Sequence, residues 1–379
     1  MKSFFNKKEQ IFLVLDVGTE AVKCLIVSKK EDKTNILSSG ISYIDETGSF
    51  ENPINPEDFE LENFKNAIKS CLEQSFAKFA LLSKKDKIEI EKPKIIALLS
   101  VLKASTAECS FERSNPGKKI SEKEKDSILE NAVGSAKKKI SEAFFKKTGI
   151  LSQDIEWTRL DVIRTSIEGY PVSSMRGRKG GKIDFKVRAV FGPKNHLKKI
   201  RKIFDDLDAD VAKILHISEV LPEMFNGKMK NALFVDIGGK TTQLFFFREG
   251  KIDLIREVEM GGLNFSEVLA RVMNLEKDQA RLLKEDYADK LLSPESEERV
   301  KNALSFGKRD WREEFKNLKN PGYPAYFFGG GSMLKEARTI VAKRKVMLPK
   351  SFKKLSSIEA GIKSSQFVPC IIVSLFKND

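Results

Sequence analysis

Cysteine and histidine are scarce in this chain, four of one and two of the other in 379 residues. Cys24, Cys71, Cys109 and Cys370 stand far apart, and His196 and His216 do not complete a cluster with them. Neither a zinc site nor a disulfide framework organises such a sequence, and the unpaired thiols point to a reducing cytoplasm. No uninterrupted apolar run approaches the roughly 18–20 residues of a membrane-spanning helix. The opening Met1-Lys-Ser-Phe-Phe-Asn-Lys-Lys-Glu9 has no long apolar segment before a small-residue cleavage site, so no secretory leader is expected.

What is present is a globular composition, 41 % hydrophobic and 32 % charged, in a chain long enough for roughly two to four domains. Basic residues outnumber acidic ones by 68 to 54, a net charge of +14. The excess gathers in 137–139, 146–147, 176–182, 198–202 and 338–354. This balance suits phosphate-bearing partners, nucleotide or anionic lipid, or else a lysine-rich solvated surface. No basic motif interleaved with aromatics and no zinc-finger spacing points to nucleic acid.

Three apolar strands, each ending in a glycine turn, carry the chemistry. Ile11-Phe-Leu-Val-Leu15 enters Asp16-Val-Gly-Thr-Glu-Ala-Val-Lys23 and returns through Cys24-Leu-Ile-Val27. Ala232-Leu-Phe-Val-Asp236 enters Ile237-Gly-Gly-Lys-Thr-Thr-Gln243 and returns through Leu244-Phe-Phe-Phe247. Both read as buried hairpins with polar tips. Tyr326-Phe-Phe leads into Gly329-Gly-Gly-Ser-Met-Leu334, read as a strand, a glycine turn and a helix. Glycine allows close backbone approach to a phosphate, and consecutive N–H groups form an anion-binding concavity. The carboxylates of Asp16 and Asp236 would not hold phosphate themselves; they suit a hydrated magnesium ion that bridges to nucleotide oxygens. Face to face, the two hairpins would bracket one Mg-nucleotide, with Gly329–Gly331 close to its base or α-phosphate.

Between these motifs, Phe59–Leu82 has helical periodicity, 31–56 reads as short strands and loop, and Pro93–Thr106 reads as one strand. Ser121-Glu-Lys-Glu124 is a helix-capping box. Ile155–Ile167 and Ile183–Val190 are expected strands around an exposed, mobile glycine-rich loop at Met175–Gly181, followed by a basic helix over His196–Leu207. A charged, helix-rich stretch covers Leu275–Asn317.

In order and spacing, the three motifs resemble phosphate-1, phosphate-2 and the adenosine motif of the actin-like ATPases, with Leu215–Pro222 where the first connecting helix would lie. The resemblance implies an α/β, bilobal actin-like (ribonuclease H-like) fold with ATP and Mg2+ in the cleft. It implies nucleotide contacts from Asp16, Gly18, Thr19, Glu20 and Lys23; from Asp236, Gly238, Gly239, Lys240 and Thr241; from Gly261, Gly262, Ser266 and Lys284; and from Gly329, Gly330, Gly331, Ser332 and Met333. Asp16 and Asp236 would reach the metal through water.

Within that superfamily the chain looks most like FtsA. Three features carry this: the strand–helix–strand–strand insert with Lys119–Glu124 and Asp161–Pro171, the pattern Gly261-Gly262-x-x-Phe265-Ser266, and Gln279-Ala-Arg-Leu-Leu-Lys284. The implied organisation is a first lobe at 9–90 and 193–229, an interaction insert at 91–192, and a second lobe at 230–379. That second lobe would include a small helical subdomain near 266–318 and a final helix returning to the first lobe. The family departures are Gln243 where an acid is frequent, Lys240 for a third glycine, Leu263 for asparagine, and Ala280-Arg281 for Ala-Glu. Lys240 would either reach a phosphate or face solvent. Only Glu219 offers itself as a catalytic base, and a solvated helix carboxylate is its plainer reading, so weak or absent ATPase activity is expected.

The implied function is that of a cell-division protein at the inner face of the cytoplasmic membrane. It would tie a tubulin-like division filament to the membrane and self-associate through the insert. The end of the chain, Phe367–Asp379, is too short and too evenly apolar for a basic interfacial helix, so membrane contact would fall to Phe4-Phe5 with Lys7-Lys8, to a basic patch on an anionic surface, or to a partner. A PilM-like scaffold of a type IV pilus or secretion machine, binding a peptide of a membrane protein, is the alternative. A small-molecule kinase ranks third, because no further catalytic aspartate stands out.

Overall fold

The computed structural model describes residues 10–31, 33–44, 61–86, 93–225, 230–318, 322–359 and 362–376. Phe4-Phe5, Lys7-Lys8, Phe59 and all of 45–56 lie outside these.

The chain begins with a three-stranded antiparallel meander, β1 (Gln10–Val17), β2 (Ala21–Lys30) and β3 (Lys33–Tyr43), followed by α1 (Leu61–Asp86) and β4 (Lys94–Leu99), which lies parallel to β1. Among its described residues, the 31–56 segment contributes one long strand, β3. Next come β5 (Lys103–Glu112), α2 (Glu122–Thr148), β6 (Ile155–Ile167), β7 (Tyr170–Pro171) and β8 (Lys182–Pro193), in a separate sheet ordered β5-β8-β6-β7. The apolar run at 93–106 is therefore two strands in two sheets, parted by a turn at 100–102. β4 belongs to the first lobe, so the insert's sheet starts at Lys103 and not at 91.

The chain then forms α3 (Lys194–Asp206), β9 (Val211–Leu215) and α4 (Ile217–Phe225). A second meander follows, β10 (Asn231–Ile237), β11 (Thr242–Arg248) and β12 (Lys251–Val258), and three helices, α5 (Gly262–Met273), α6 (Lys277–Asp289) and α7 (Pro294–Glu314). The last elements are β13 (Ala325–Phe328), β14 (Arg344–Val346), β15 (Leu355–Ser357) and α8 (Val368–Ser374). The Gly330–Met333 segment is a single 3-10 turn rather than the expected helix, because Ser332 Oγ folds back onto Gly329 O at 2.7 Å.

The two main sheets are ordered β15-β3-β2-β1-β4-β9 and β12-β11-β10-β13-β14. Apart from the short edge strand β15 they are topological equivalents: a meander whose first strand continues into two parallel strands. Both faces of each sheet are covered, which explains the continuous apolar runs in β1 and β10. Leu13, Leu15 and Val17 pack under α1 and α3, while Leu233, Val235 and Ile237 pack against α5 and α7. The opposite faces, Phe12 and Val14 in one sheet and Ala232 and Phe234 in the other, share a core with α4 and α8. Strand side chains alternate with period two. Asp16 and Asp236 therefore continue the faces that look into the space between the lobes.

The insert packs α2 on its sheet and meets β12 of the second lobe mainly through ion pairs: Lys186–Asp253 at 2.9 Å, Arg164–Asp253 at 3.2 Å, Lys103–Glu257 at 2.8 Å and Lys147–Glu259 at 2.8 Å. Ser121 caps α2 as expected, accepting from the Glu124 amide at 3.2 Å, and Gly149 ends it in the left-handed conformation. The glycine-rich loop is not loose. Met175 is buried, the Gly177 and Gly180 amides donate to Ile120 and Pro116 carbonyls, and buried Arg113 bonds Gly180 O, Lys118 O and Glu124.

Candidate functional site

A cleft of about 190 Å3 lies at the carboxyl ends of β1 and β10, where the shared core gives way to polar side chains. Ligands of open α/β sheets bind at such strand ends. The β1–β2 and β10–β11 turns are built alike: Gly18 N–H donates to Ala21 O at 3.1 Å, and Gly238 N–H donates to Thr241 O at 2.9 Å. The tips meet across the cleft, with the Lys240 amide donating to Thr19 Oγ1 at 3.1 Å. Gly239 is required there, since a Cβ on it would lie 2.6 Å from the Glu20 Cβ. At the third turn Gly329 has φ +84°, and a Cβ would sit 2.3 Å from Asp236 Oδ1.

Asp16 and Asp236 occupy matching ladder positions with unlike neighbours. Asp16 pairs across the strands with Lys23, whose ammonium lies 3.0 Å from Asp16 Oδ2. Burial opposes the Lys23 charge, but the adjoining carboxylate outweighs it and holds the ammonium above the ordinary lysine range. Asp236 pairs with Gln243, whose amide donates to Glu257 at 3.0 Å instead. Burial first, and then the negative charge of Asp16, push the Asp236 carboxyl up to about 7. Glu257, buried too, is nevertheless held below the usual carboxylate range by Lys103 of the insert.

Most of the expected residues converge here. Asp16, Gly18, Thr19, Glu20, Lys23, Asp236, Gly238, Gly239, Thr241, Lys284, Gly329, Gly330, Gly331 and Met333 line the cleft, with Lys284 Nζ 3.3 Å from Glu20 Oε1. The remaining six do not. Gly261 and Gly262 buttress the second turn from behind, the Gly262 amide donating to Gly238 O at 2.8 Å. The Lys240 backbone meets the first hairpin at the Thr19 hydroxyl. Ser266 is buried beneath α5. Ser332 points inward, its hydroxyl bonding Gly329 O and Ser365.

Glu219 is the sixth, and the catalytic role expected for it does not fit its position. It stands at the third residue of α4, where its carboxylate accepts from the His216 amide at 2.8 Å, the returning arm of a capping box. Its other neighbour is Arg159 of the insert at 3.7 Å, and burial raises its pKa.

Sequence reasoning missed Tyr43, Ser100, His216, Glu285, Asp289 and Gln366, all of which line the cleft. Glu285 adjoins Lys284 and His216 lies in the connecting-helix segment, but Tyr43 and Gln366 arrive by topology alone. His216 Nδ1 accepts from the Ser218 amide at 3.1 Å, and burial pulls its pKa down to about 4, so the ring is neutral and a weak base. Among the described residues no group of three or more His, Cys, Asp or Glu could hold a metal by itself. The donor set, two carboxylates beside glycine turns, fits a hydrated Mg2+ shared with phosphate oxygens, and not a free-standing metal site.

Comparison with known proteins bears on the fold. Residues 233–369 match the family model described as FtsA, cell division protein FtsA. The structure titled "PilM-PilN type IV pilus biogenesis complex" superposes with a TM-score of 0.63 at 14 % identity, covering 96 % of this chain and 97 % of that one. The chain has the actin-like ATPase fold, and its residues 233–369 are similar to FtsA. The ethanolamine utilization protein EutJ from Carboxydothermus hydrogenoformans superposes more weakly, with a TM-score of 0.47 at 10 % identity over 98 % of this chain and 92 % of that one. A search of curated proteins found no match. Among the described residues of this actin-like protein, no helix is long and apolar enough to cross a membrane.

Proposed function

We propose that the cleft binds a magnesium nucleoside triphosphate, ATP by the family resemblance, and that the protein acts as a nucleotide-controlled scaffold rather than a fast hydrolase. The carrying observation is that Asp16 and Asp236 sit at matching positions of two equivalent sheets, facing one cleft, each beside a glycine turn. Gly18, Gly238 and Gly329–Gly331 allow phosphate and base to approach the backbone, Lys23 and Lys284 offer cations, and the two carboxylates would hold magnesium through water. When bound, magnesium neutralises phosphate charge. Slow turnover is read from two described residues, since Glu219 caps a helix and His216 is neutral with one nitrogen engaged, so neither is a ready base.

The assembly role is read as that of an FtsA-like adaptor at the cytoplasmic face of the membrane. It would bind a tubulin-like filament and self-associate through the insert, and the match over 233–369 supports this. The PilM-like alternative, a pilus or secretion scaffold that binds a membrane-protein peptide, draws on the likeness to the PilM–PilN complex across nearly the whole chain. Titration calorimetry with Mg-ATP tests the cleft: Asp16→Ala and Asp236→Ala should each lower affinity by about tenfold or more, as loss of a charge-assisted contact does, and unchanged affinity in both refutes the assignment. Pull-downs from the native cell separate the two roles, since one retrieves a tubulin-like protein and the other a pilus membrane protein. Insert-deleted protein that sediments like the full chain with ATP and lipid would remove self-association through the insert.

A further inference from the structure

We infer that Tyr43 and Arg281 form a latch between the lobes that holds Lys284 and Glu285 against the first lobe and gates nucleotide admission to the cleft. Tyr43 ends β3, and Arg281 belongs to α6 on the other side of the cleft. The Arg281 guanidinium lies over the Tyr43 ring, 3.6 Å from its centroid, and is anchored to Asp278 at 3.2 Å. The Tyr43 hydroxyl donates to Glu285 Oε1 at 2.9 Å. One residue earlier, Lys284 meets Glu20 at 3.3 Å. Two of the three polar residues of α6 that line the cleft, Lys284 and Glu285, are thus engaged by the opposite lobe.

Arg281 stands where the resembled family carries Glu. A carboxylate there would face the negative face of the tyrosine ring, whereas a guanidinium is attracted to it. The latch also explains the cleft's size. At about 190 Å3 it falls below the ~300–1,000 Å3 usual for ligand pockets, and in this inference β3 and α6 part to admit a nucleotide, with Lys284 and Glu285 releasing Glu20 and Tyr43 to face it.

This inference rests on the nucleotide reading for its ligand but not for its mechanics, and the experiment separates the two. Hydrogen exchange of the Lys240 amide, which is bonded across the cleft to Thr19, reports opening in the nucleotide-free protein. Stopped-flow mixing with a fluorescent Mg-ATP analogue reports admission as the plateau rate at saturating ligand. Tyr43→Phe keeps the ring and loses the hydroxyl bond, Arg281→Ala loses the stack, and Leu282→Ala, at an exposed position of the same helix, is the control. A net hydrogen bond or an exposed cation–π contact corresponds to about three- to tenfold. Both latch variants should speed Lys240 exchange and the admission plateau by that factor, with Leu282→Ala like the parent. Unchanged exchange in both overturns the latch, whatever the nucleotide rates do. Faster exchange with no nucleotide bound by any of the proteins, the parent included, upholds the latch and overturns the nucleotide reading.

Discussion

Asp236→Asn is the most informative single substitution, because it should stabilise the empty protein while weakening its proposed activity. The folded protein keeps the Asp236 proton up to about pH 7, whereas the unfolded chain releases it near the ordinary 3.8. Between those values the folded state binds more protons, so stability falls as pH rises through this window, then levels off above pH 7. At about 1.4 kcal/mol per tenfold, the interval from 3.8 to about 7 sets an upper bound of about 4 kcal/mol at pH 8. Relaxation and water penetration reduce this, and a gain of about 1–4 kcal/mol is expected. Asparagine has the same shape and carries no charge, so it removes the penalty. Thermal unfolding of both proteins in chelator, from pH 4 to pH 8.5, should show coincident midpoints at the acid end, a gap opening between pH 4 and 7, and a constant gap beyond. Mg-ATP affinity of the variant should fall by about tenfold or more at pH 8. A gap independent of pH, or a variant less stable than the parent at pH 8, would refute the reasoning.

Other substitutions probe the neighbouring contacts. Gly239→Ala adds a methyl that meets Glu20 and Thr19 of the opposite lobe at 2.6 and 3.0 Å; it should wedge the tips apart, lowering stability by about 1–3 kcal/mol and accelerating Lys240 amide exchange. Glu219→Ala removes the cap of α4 and should cost about 1 kcal/mol in thermal unfolding while leaving nucleotide turnover within twofold; a large loss of turnover with binding intact would restore Glu219 as a base. Gln243→Lys sets an ammonium across the ladder from Asp236, as Lys23 stands to Asp16. It should bring the Asp236 carboxyl back towards its usual range and flatten the slope of stability between pH 4 and 7, and an unaltered slope would show that the missing cation is not the cause.

The hairpins were legible because a strand buried on both faces must be apolar throughout, and an aspartate ending such a run stands out. The α2 start was legible because a capping box is local chemistry. Where the deciding contact lay far off in sequence, local pattern misled. Residues 93–106 read as one strand because no glycine or proline marks the turn at 100–102, yet the chain crosses there from one sheet to another. The loop at 175–181 reads as mobile because its tether, Arg113, is more than sixty residues away. Gly261, Gly262, Ser266 and Ser332 belong to motifs that reach the cleft, but they support its turns from behind. Tyr43 carries no local mark at all. Its role depends on α6 closing over it, and only the strange Arg281 in an otherwise familiar pattern hinted that something differed there.

The two lobes repeat one topology, and their asymmetry resides in a single ladder position. The strand-end aspartates, the Gly-amide turns and the neighbouring parallel strands correspond, but the residue opposite the aspartate is Lys23 in one sheet and Gln243 in the other. On the first side the charge is neutralised within the lobe. On the second the glutamine turns away to Glu257, which is tied to Lys103 of the insert at 2.8 Å, and Asp236 has no cation at its own ladder position, only the more distant charge of Lys23. A carboxylate whose pKa is raised by burial and by a neighbouring carboxylate gains when a positive charge arrives. A second lysine would make the empty cleft more stable and blunt that preference. The glutamine therefore leaves the site dependent on an external cation for its charge balance, and through Glu257 it joins the same position physically to the insert.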